Sequence, residues 1–149
     1  MRSISIYSFK ERFIVVPNQK SIEGLTFSQN KFLVSDENID SPQMKKIIQN
    51  GLNEFKILET KYDRNSAASK NFNKDLSKSV GAKSYTEFWK NSQLMLLAEK
   101  NEKIIIHASK RALNHKSYQG SFLPPEEFKS SMTEAIAIRI IEIFEQMNE

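Results

Sequence analysis

No cysteine occurs anywhere in the 149-residue chain, so disulfides, thiolate metal sites and thiol nucleophiles are all excluded. That composition suits a reducing compartment, and a cytoplasmic location is expected. Only two histidines are present, His107 and His115. A general base needs a partner within hydrogen-bond reach and a tuned pKa, and neither histidine has an acid close by in sequence. Metal sites draw on clusters of His, Cys and carboxylate, which two solitary histidines do not supply, so no metal and no cofactor is expected. The four glycines, Gly24, Gly51, Gly81 and Gly120, are too far apart to form a phosphate-cradling loop. No apolar run approaches the ~20 residues that span a bilayer. The opening segment MRSISIYSF alternates polar and apolar residues, which reads as a strand and not a secretion signal. Glu126 and Glu127 are adjacent and would not face each other on a helix, so they are expected to favour a helix N-terminus and not to act as an acid/base pair. No catalytic residue is therefore expected.

What the chain does contain is patterned apolar sequence. A chain of this length fits one domain, residues 1–149, that buries roughly two-thirds of its unfolded surface. Residues 3–9 alternate as a half-buried strand, Lys10-Glu11 turns the chain into a second strand over 12–16, and Pro17 is expected to end it. Residues 18–24 read as a loop, with short strands at 25–27 and 31–34. Ser41-Pro42 marks a helix over about 41–57, with Ser41 as N-cap and Met44, Ile47, Ile48, Leu52 and Phe55 as its apolar stripe. Gly51 lies on that stripe, where a missing side chain permits close approach of another element. Residues 60–75 are polar and read as a long loop, followed by a short helix over about 72–79.

Val80–Leu97 packs several signals into eighteen residues. Gly81 is placed to stop a helix in the left-handed conformation, and Ser84 with Glu87 has the capping-box spacing. Phe88 and Trp89 then fall on a single helical turn over about 84–91, before the apolar run Leu94–Leu97. Leu94–Lys100 and Lys103–Ser109 flank Asn101-Glu102 as a second hairpin. Ile104, Ile105 and Ile106 in succession predict a central strand covered on both faces. Residues 117–123 read as another strand. Ser131 with Glu134 repeats the capping-box spacing and opens a helix over about 131–147, with Ile136, Ile140, Ile143, Phe144 and Met147 on one face. The expected fold is α+β: an antiparallel, hairpin-built sheet packed by two main helices and two short ones.

These features resemble a known family. The aromatic and basic strand pair (Tyr7, Phe9, Arg12 to Pro17), the Gly81–Lys83–Ser84–Phe88 turn, the two-stranded unit and the apolar C-terminal helix are similar to small immunity proteins of bacterial contact-dependent growth inhibition (CDI). The resemblance implies a non-catalytic cytoplasmic protein. Its partner would be the toxic C-terminal domain of a large secreted effector, commonly a nuclease, bound in a 1:1 complex that hides the active site or blocks substrate access.

The net charge of +4 is unevenly spread. Residues 61–118 hold twelve Lys or Arg against five acids, whereas residues 119–149 hold two against six. Such asymmetry can steer a charged partner. Lys61, Tyr62 and Arg64 in the polar loop, and His115, Lys116 and Tyr118 further on, have the anchor types found in tight interfaces. They are the candidate toxin contacts. A nuclease holds phosphate and tends to be basic, so a basic inhibitor must offer its acidic region or meet an acidic toxin surface. The alternatives are a basic nucleic-acid-binding module, using the lysines with aromatic platforms, and a two-histidine RNase with Lys110 or Lys116 stabilising phosphate. Against the former, the chain has no recognition-helix, zinc-finger or RNP-like pattern, so direct nucleic-acid binding is not expected.

Overall fold

Each of the two central hairpins turns on a residue pair with positive φ. Lys10 and Glu11 adopt φ of 43° and 63°, and Asn101 and Glu102 adopt 52° and 60°. These tight two-residue turns carry the twist that antiparallel strands require. The computed structural model describes residues 1–112 and 116–148. Its elements run β1 (Arg2–Phe9), β2 (Arg12–Lys20), β3 (Thr26–Ser28), β4 (Leu33–Val34), α1 (Ser41–Asn53), β5 (Lys56–Ile57), α2 (Ala67–Ser79), α3 (Tyr85–Lys90), β6 (Ser92–Lys100), β7 (Lys103–Ala112), β8 (Ser117–Ser121), β9 (Glu126–Phe128) and α4 (Glu134–Met147). The strands pair in the order β3-β2-β1-β6-β7-β8, with β4 and β5 also on β2 and β9 also on β7. Every pairing is antiparallel except the short contact of β5 with β2. The α+β architecture expected from the sequence is the one the chain adopts.

Strand alternation divides the sheet into two faces. Ile4, Ile6, Val15, Met95, Leu97, Ile104 and Ile106 point to one face, where Met44, Ile48 and Leu52 of α1 and Ile136, Ile140, Ile143 and Phe144 of α4 bury them. Gly51 sits where α1 crosses the sheet. A Cβ built there would lie 2.3 Å from Val15 Cγ1 and 3.3 Å from Ile4 Cγ2, so the close approach expected at this glycine is real. Tyr7, Phe9, Ile14, Val16 and Leu94 point to the opposite face, under Leu76 of α2 and Phe88 of α3.

Several boundaries differ from the sequence reading, each for a local reason. The N-cap of α1 is Asp40, one residue before Ser41. Its carboxylate accepts from the Gln43 amide at 2.9 Å while the Gln43 side chain accepts from the Asp40 amide at 3.0 Å. The helix ends at Asn53, because the following residues leave to place β5 alongside β2. Thr133, not Ser131, caps α4 by accepting from the Ile136 amide. Pro17 does not end β2, which runs on to Lys20 and takes in part of the expected 18–24 loop. In a strand, a residue's N and C=O point to the same edge. The Pro17 carbonyl accepts from the Gln29 amide there, and its missing N–H faces the gap between β4 and β3, where no ladder bond is lost.

The polar stretch 60–75 is less of a loop than its composition implies. Ser66 caps α2 by accepting from the Ser69 amide, so the helix starts at Ala67, five residues before the expected start. Its lysines lie on the solvent side, with Phe72 and Leu76 packed inward. Gly81 terminates α2 at φ 71°. The Ala82 amide reaches the Ser77 carbonyl at 3.0 Å and the Gly81 amide reaches that of Lys78 at 3.1 Å, a complete Schellman stop. The Ser84–Glu87 box is only half formed. Ser84 Oγ accepts from the Glu87 amide, but the Glu87 carboxylate takes the amide of Lys83 instead of that of Ser84. That bond and Lys10 hold the Glu87 carboxyl below its usual range.

Glu126 and Glu127 lie on β9 and not at a helix terminus. Both Glu126 oxygens accept from Arg139 Nε at 3.0 Å, which holds that carboxyl below its ordinary pKa and ties β9 to α4. Among the described residues, no helix is long and apolar enough to cross a membrane.

Candidate partner-binding face

The sheet face opposite α1 and α4 has a covered half and an open half. The covered half is an aromatic cluster. The Phe88 ring lies 5.3 Å from Phe9, 5.6 Å from Tyr7 and 6.2 Å from Tyr85, and Tyr118 meets the Tyr7 ring edge-on at 5.7 Å. These contacts fix α3 against β1. Polar ends of the same side chains fix α3 against β8 and the turn before it. Tyr85 Oη donates to the Lys116 carbonyl and Trp89 Nε1 to the Ser117 carbonyl, each at 2.9 Å. Arg111 donates to the Trp89 and Lys90 carbonyls with its guanidinium over the Trp89 ring. Phe88 and Trp89 are therefore core and clamp, not exposed platforms for bases.

Burial within this cluster raises the pKa of Tyr7, Tyr118 and Tyr85, because a phenolate would lose its hydration. The Tyr118 hydroxyl is hydrogen-bonded to Ser92 Oγ. A raised folded-state pKa makes this contribution to stability complete below the ordinary tyrosine value of about 10, and it is lost as pH rises above that value. The urea midpoint should accordingly fall above pH 10. The 295 nm ionisation signal of Tyr7 and Tyr118 should appear together with loss of the native circular dichroism. Full tyrosine ionisation while the native spectrum persists would contradict this burial.

The six candidate contacts do not form one cluster. Tyr62 packs against Phe27 of β3 with ring centroids 4.5 Å apart, and its amide donates to Glu23 Oε1 at 2.9 Å. Lys61 and Arg64 are exposed beside it, next to the start of α2. Lys116 and Tyr118 lie at the other edge of the sheet. The Lys116 side chain is exposed, while Tyr118 is largely committed to the aromatic cluster. His115 falls outside the described residues. His107 Nε2 lies 2.5 Å from Ser121 Oγ. Among the described residues its side-chain hydrogen bonds include no carboxylate to orient it as a base, and no group of three His, Cys, Asp or Glu is placed to hold a metal ion.

Charge is sorted by face. Lys70, Lys74 and Lys78 of α2, Lys83 and Lys90 beside or within α3, and Lys110 and Lys116 near the β7–β8 connection are all exposed. Glu134, Glu142 and Glu145 are exposed on α4, which lies across the other face. The basic surplus of residues 61–118 thus becomes largely one side of the molecule.

The open half holds a feature that the sequence reading did not find. Ile105 and Leu96 are 44% and 41% exposed on interior strands. The isoleucine run is therefore covered on one face only, and Leu96 within the Leu94–Leu97 run is not buried. Alternation along 104–106 was too weak to show which face lacks a cover.

No protein-family model and no curated protein matches this chain by sequence. Solved structures do match by fold. A protein of unknown function from Neisseria meningitidis superposes with a TM-score of 0.74 at 11% identity, over 92% of this chain and 89% of that one. A chain of the CdiA-CT/CdiI toxin and immunity complex from Yersinia pseudotuberculosis superposes with a TM-score of 0.69 at 13% identity, over 93% of this chain and 94% of that one. At such identities the likeness is one of fold, and at that level it agrees with the resemblance drawn from the sequence.

Proposed function

We propose that this protein is an immunity protein of the contact-dependent growth-inhibition type, a stoichiometric inhibitor of the toxic C-terminal domain of a secreted effector. The observation that carries the reading is the fold, shared along nearly the whole chain with a component of a toxin and immunity complex. It is supported by a sheet face with exposed apolar side chains and by a basic surface sorted to that side. The protein acts in the cytoplasm, where a 1:1 complex with the toxin domain, a nuclease, covers its active site or, from a neighbouring surface, blocks access of its nucleic-acid substrate. Inhibition of this kind needs shape and complementary charge, not a reacting group.

The test is co-expression with the C-terminal domain encoded by the open reading frame immediately upstream. Rescue of growth and a 1:1 complex by sedimentation are expected. Tyr62→Ala with Arg64→Ala should raise the dissociation rate roughly tenfold, as loss of an interface anchor does. Wild-type dissociation from that double variant would remove the Lys61–Arg64 loop from the interface. The exposed lysines of α2 and the β7–β8 connection favour one competing reading, a nucleic-acid-binding module. It would show as RNA or DNA affinity falling steeply with salt, without growth rescue.

A further inference from the structure

An interior strand whose outer face meets water normally carries polar residues there. β6 lies between β1 and β7, and β7 lies between β6 and the β8 and β9 strands. Yet the outward positions in the open half are Leu96, Ala98 and Ile105, with His107 beside them. The neighbours on β1 are small: Ser5 pairs with Leu96 and Ser3 with Ala98. Tall apolar side chains beside short ones make a trough of about 430 Å³, bounded on its far side by β3. Its floor is held rigid, since Asn18 Nδ2 donates to Ser3 Oγ at 2.9 Å and Ser28 Oγ donates to Asn18 Oδ1 at 3.3 Å.

The charged residues bordering the trough are mainly basic, with Glu127 of β9 on the same face opposite Ile105. Register places Lys20, Lys100 and Lys103 on this same face at its ends. Lys103 is engaged by Glu127 at 3.5 Å. Among the described residues, neither Lys20 nor Lys100 makes an ion pair. β3, which bounds the trough, also carries Phe27, whose ring packs on Tyr62.

We propose that this trough is the central docking site for the toxin domain, and that it receives an apolar side chain flanked by carboxylates on an acidic surface of the toxin. This rests on the immunity reading above. It also removes the charge conflict between a basic inhibitor and a phosphate-binding toxin, because the basic rim meets an acidic region and not the nucleic-acid cleft. Apolar anchors that exclude water supply the affinity, while the rim lysines speed encounter.

The experiment titrates the purified, catalytically inactivated toxin domain from the upstream reading frame with wild-type protein and folded variants. Leu96→Glu with Ile105→Glu should raise Kd at least thirtyfold, with an unchanged far-UV spectrum. Ile138→Glu is the control, 44% exposed on α4 across the other face, and should change Kd less than threefold. Lys20→Glu with Lys100→Glu should slow association severalfold at low salt and flatten its salt dependence. A benzophenone amino acid at position 96 should cross-link to the toxin, which keeps the proposal testable if the double glutamate variant fails to fold. Wild-type binding matched by the Leu96→Glu, Ile105→Glu protein, with no cross-link, overturns the trough while leaving the immunity reading intact. No binding by the wild-type protein ends both. A homodimer in sedimentation that Leu96→Glu abolishes would show that a second copy fills the trough, and would also overturn the proposal.

Discussion

Phe88→Ala is expected to cost about 3–5 kcal/mol, the range for deleting a fully buried aromatic side chain from a packed core. Phe88 has no solvent exposure, and its ring is held between Phe9, Tyr7 and Tyr85. Alanine would leave a cavity that β1 cannot close, because β1 is locked between β2 and β6 along its length. The loss should spread beyond the cavity. α3 has six residues and no other large hydrophobic anchor as deep as Phe88, and its Tyr85 and Trp89 hold the carbonyls of Lys116 and Ser117. Against a typical total stability of roughly 5–15 kcal/mol, such a change should lower the thermal midpoint by about 10 °C or more. Urea unfolding of wild type and variant checks this. A midpoint shift equivalent to less than about 1 kcal/mol would mean that α3 does not depend on this ring.

Gly51→Ala is expected to destabilise, against the usual trend for a helix interior. Replacing glycine with alanine in a helix ordinarily gains about 1 kcal/mol. Here the new Cβ would lie 2.3 Å from Val15 Cγ1, and Val15 is fully buried on the central strand β2. Either α1 must lift from the sheet or Val15 must leave its rotamer, and overpacking of this kind costs about 1–3 kcal/mol or more. A net loss of about 1–2 kcal/mol is the expected effect. The decisive measurement is the double-mutant cycle with Val15→Ala, which removes the clashing methyl. The combined variant should be more stable than the sum of the two single changes by about 1 kcal/mol or more. Additivity, or a stabilised Gly51→Ala protein, would show that α1 can move off the sheet at little cost.

Both predictions concern positions whose special character was already visible in the sequence. Gly51 interrupts an apolar stripe, and Phe88 follows a helix stop and an N-cap within eight residues. Signals that act over four or five residues predict the right kind of feature, sometimes displaced by a residue or two. A carboxylate at Asp40 and a hydroxyl at Thr133 won the capping positions from nearby serines, because the cap is decided by which side chain has the extended backbone that reaches the third amide. Pro17 passes through a strand because its missing donor faces a gap between two partner strands, which is a fact about neighbours remote in sequence. Ser66 and the inward Phe72 and Leu76 start α2 within a stretch whose composition looked like loop.

The candidate contact residues were less legible than the fold. Their types suit an interface, but the chain sends Tyr62 and Tyr118 to opposite edges of the sheet and assigns much of Tyr118 to the core. The runs Leu94–Leu97 and Ile104–Ile106 predict buried strands, yet an apolar residue in a strand shows only that one of its faces prefers to leave water. Which face finds a cover depends on where α2 and α3 end.

The chain by itself determined its hairpins, its helix faces and its helix stops, since turn geometry, side-chain period and capping depend on residues a few positions apart. Only the tertiary structure decided which half of the second sheet face remained open and which lysines came to border it, because those outcomes depend on contacts between segments separated by dozens of residues.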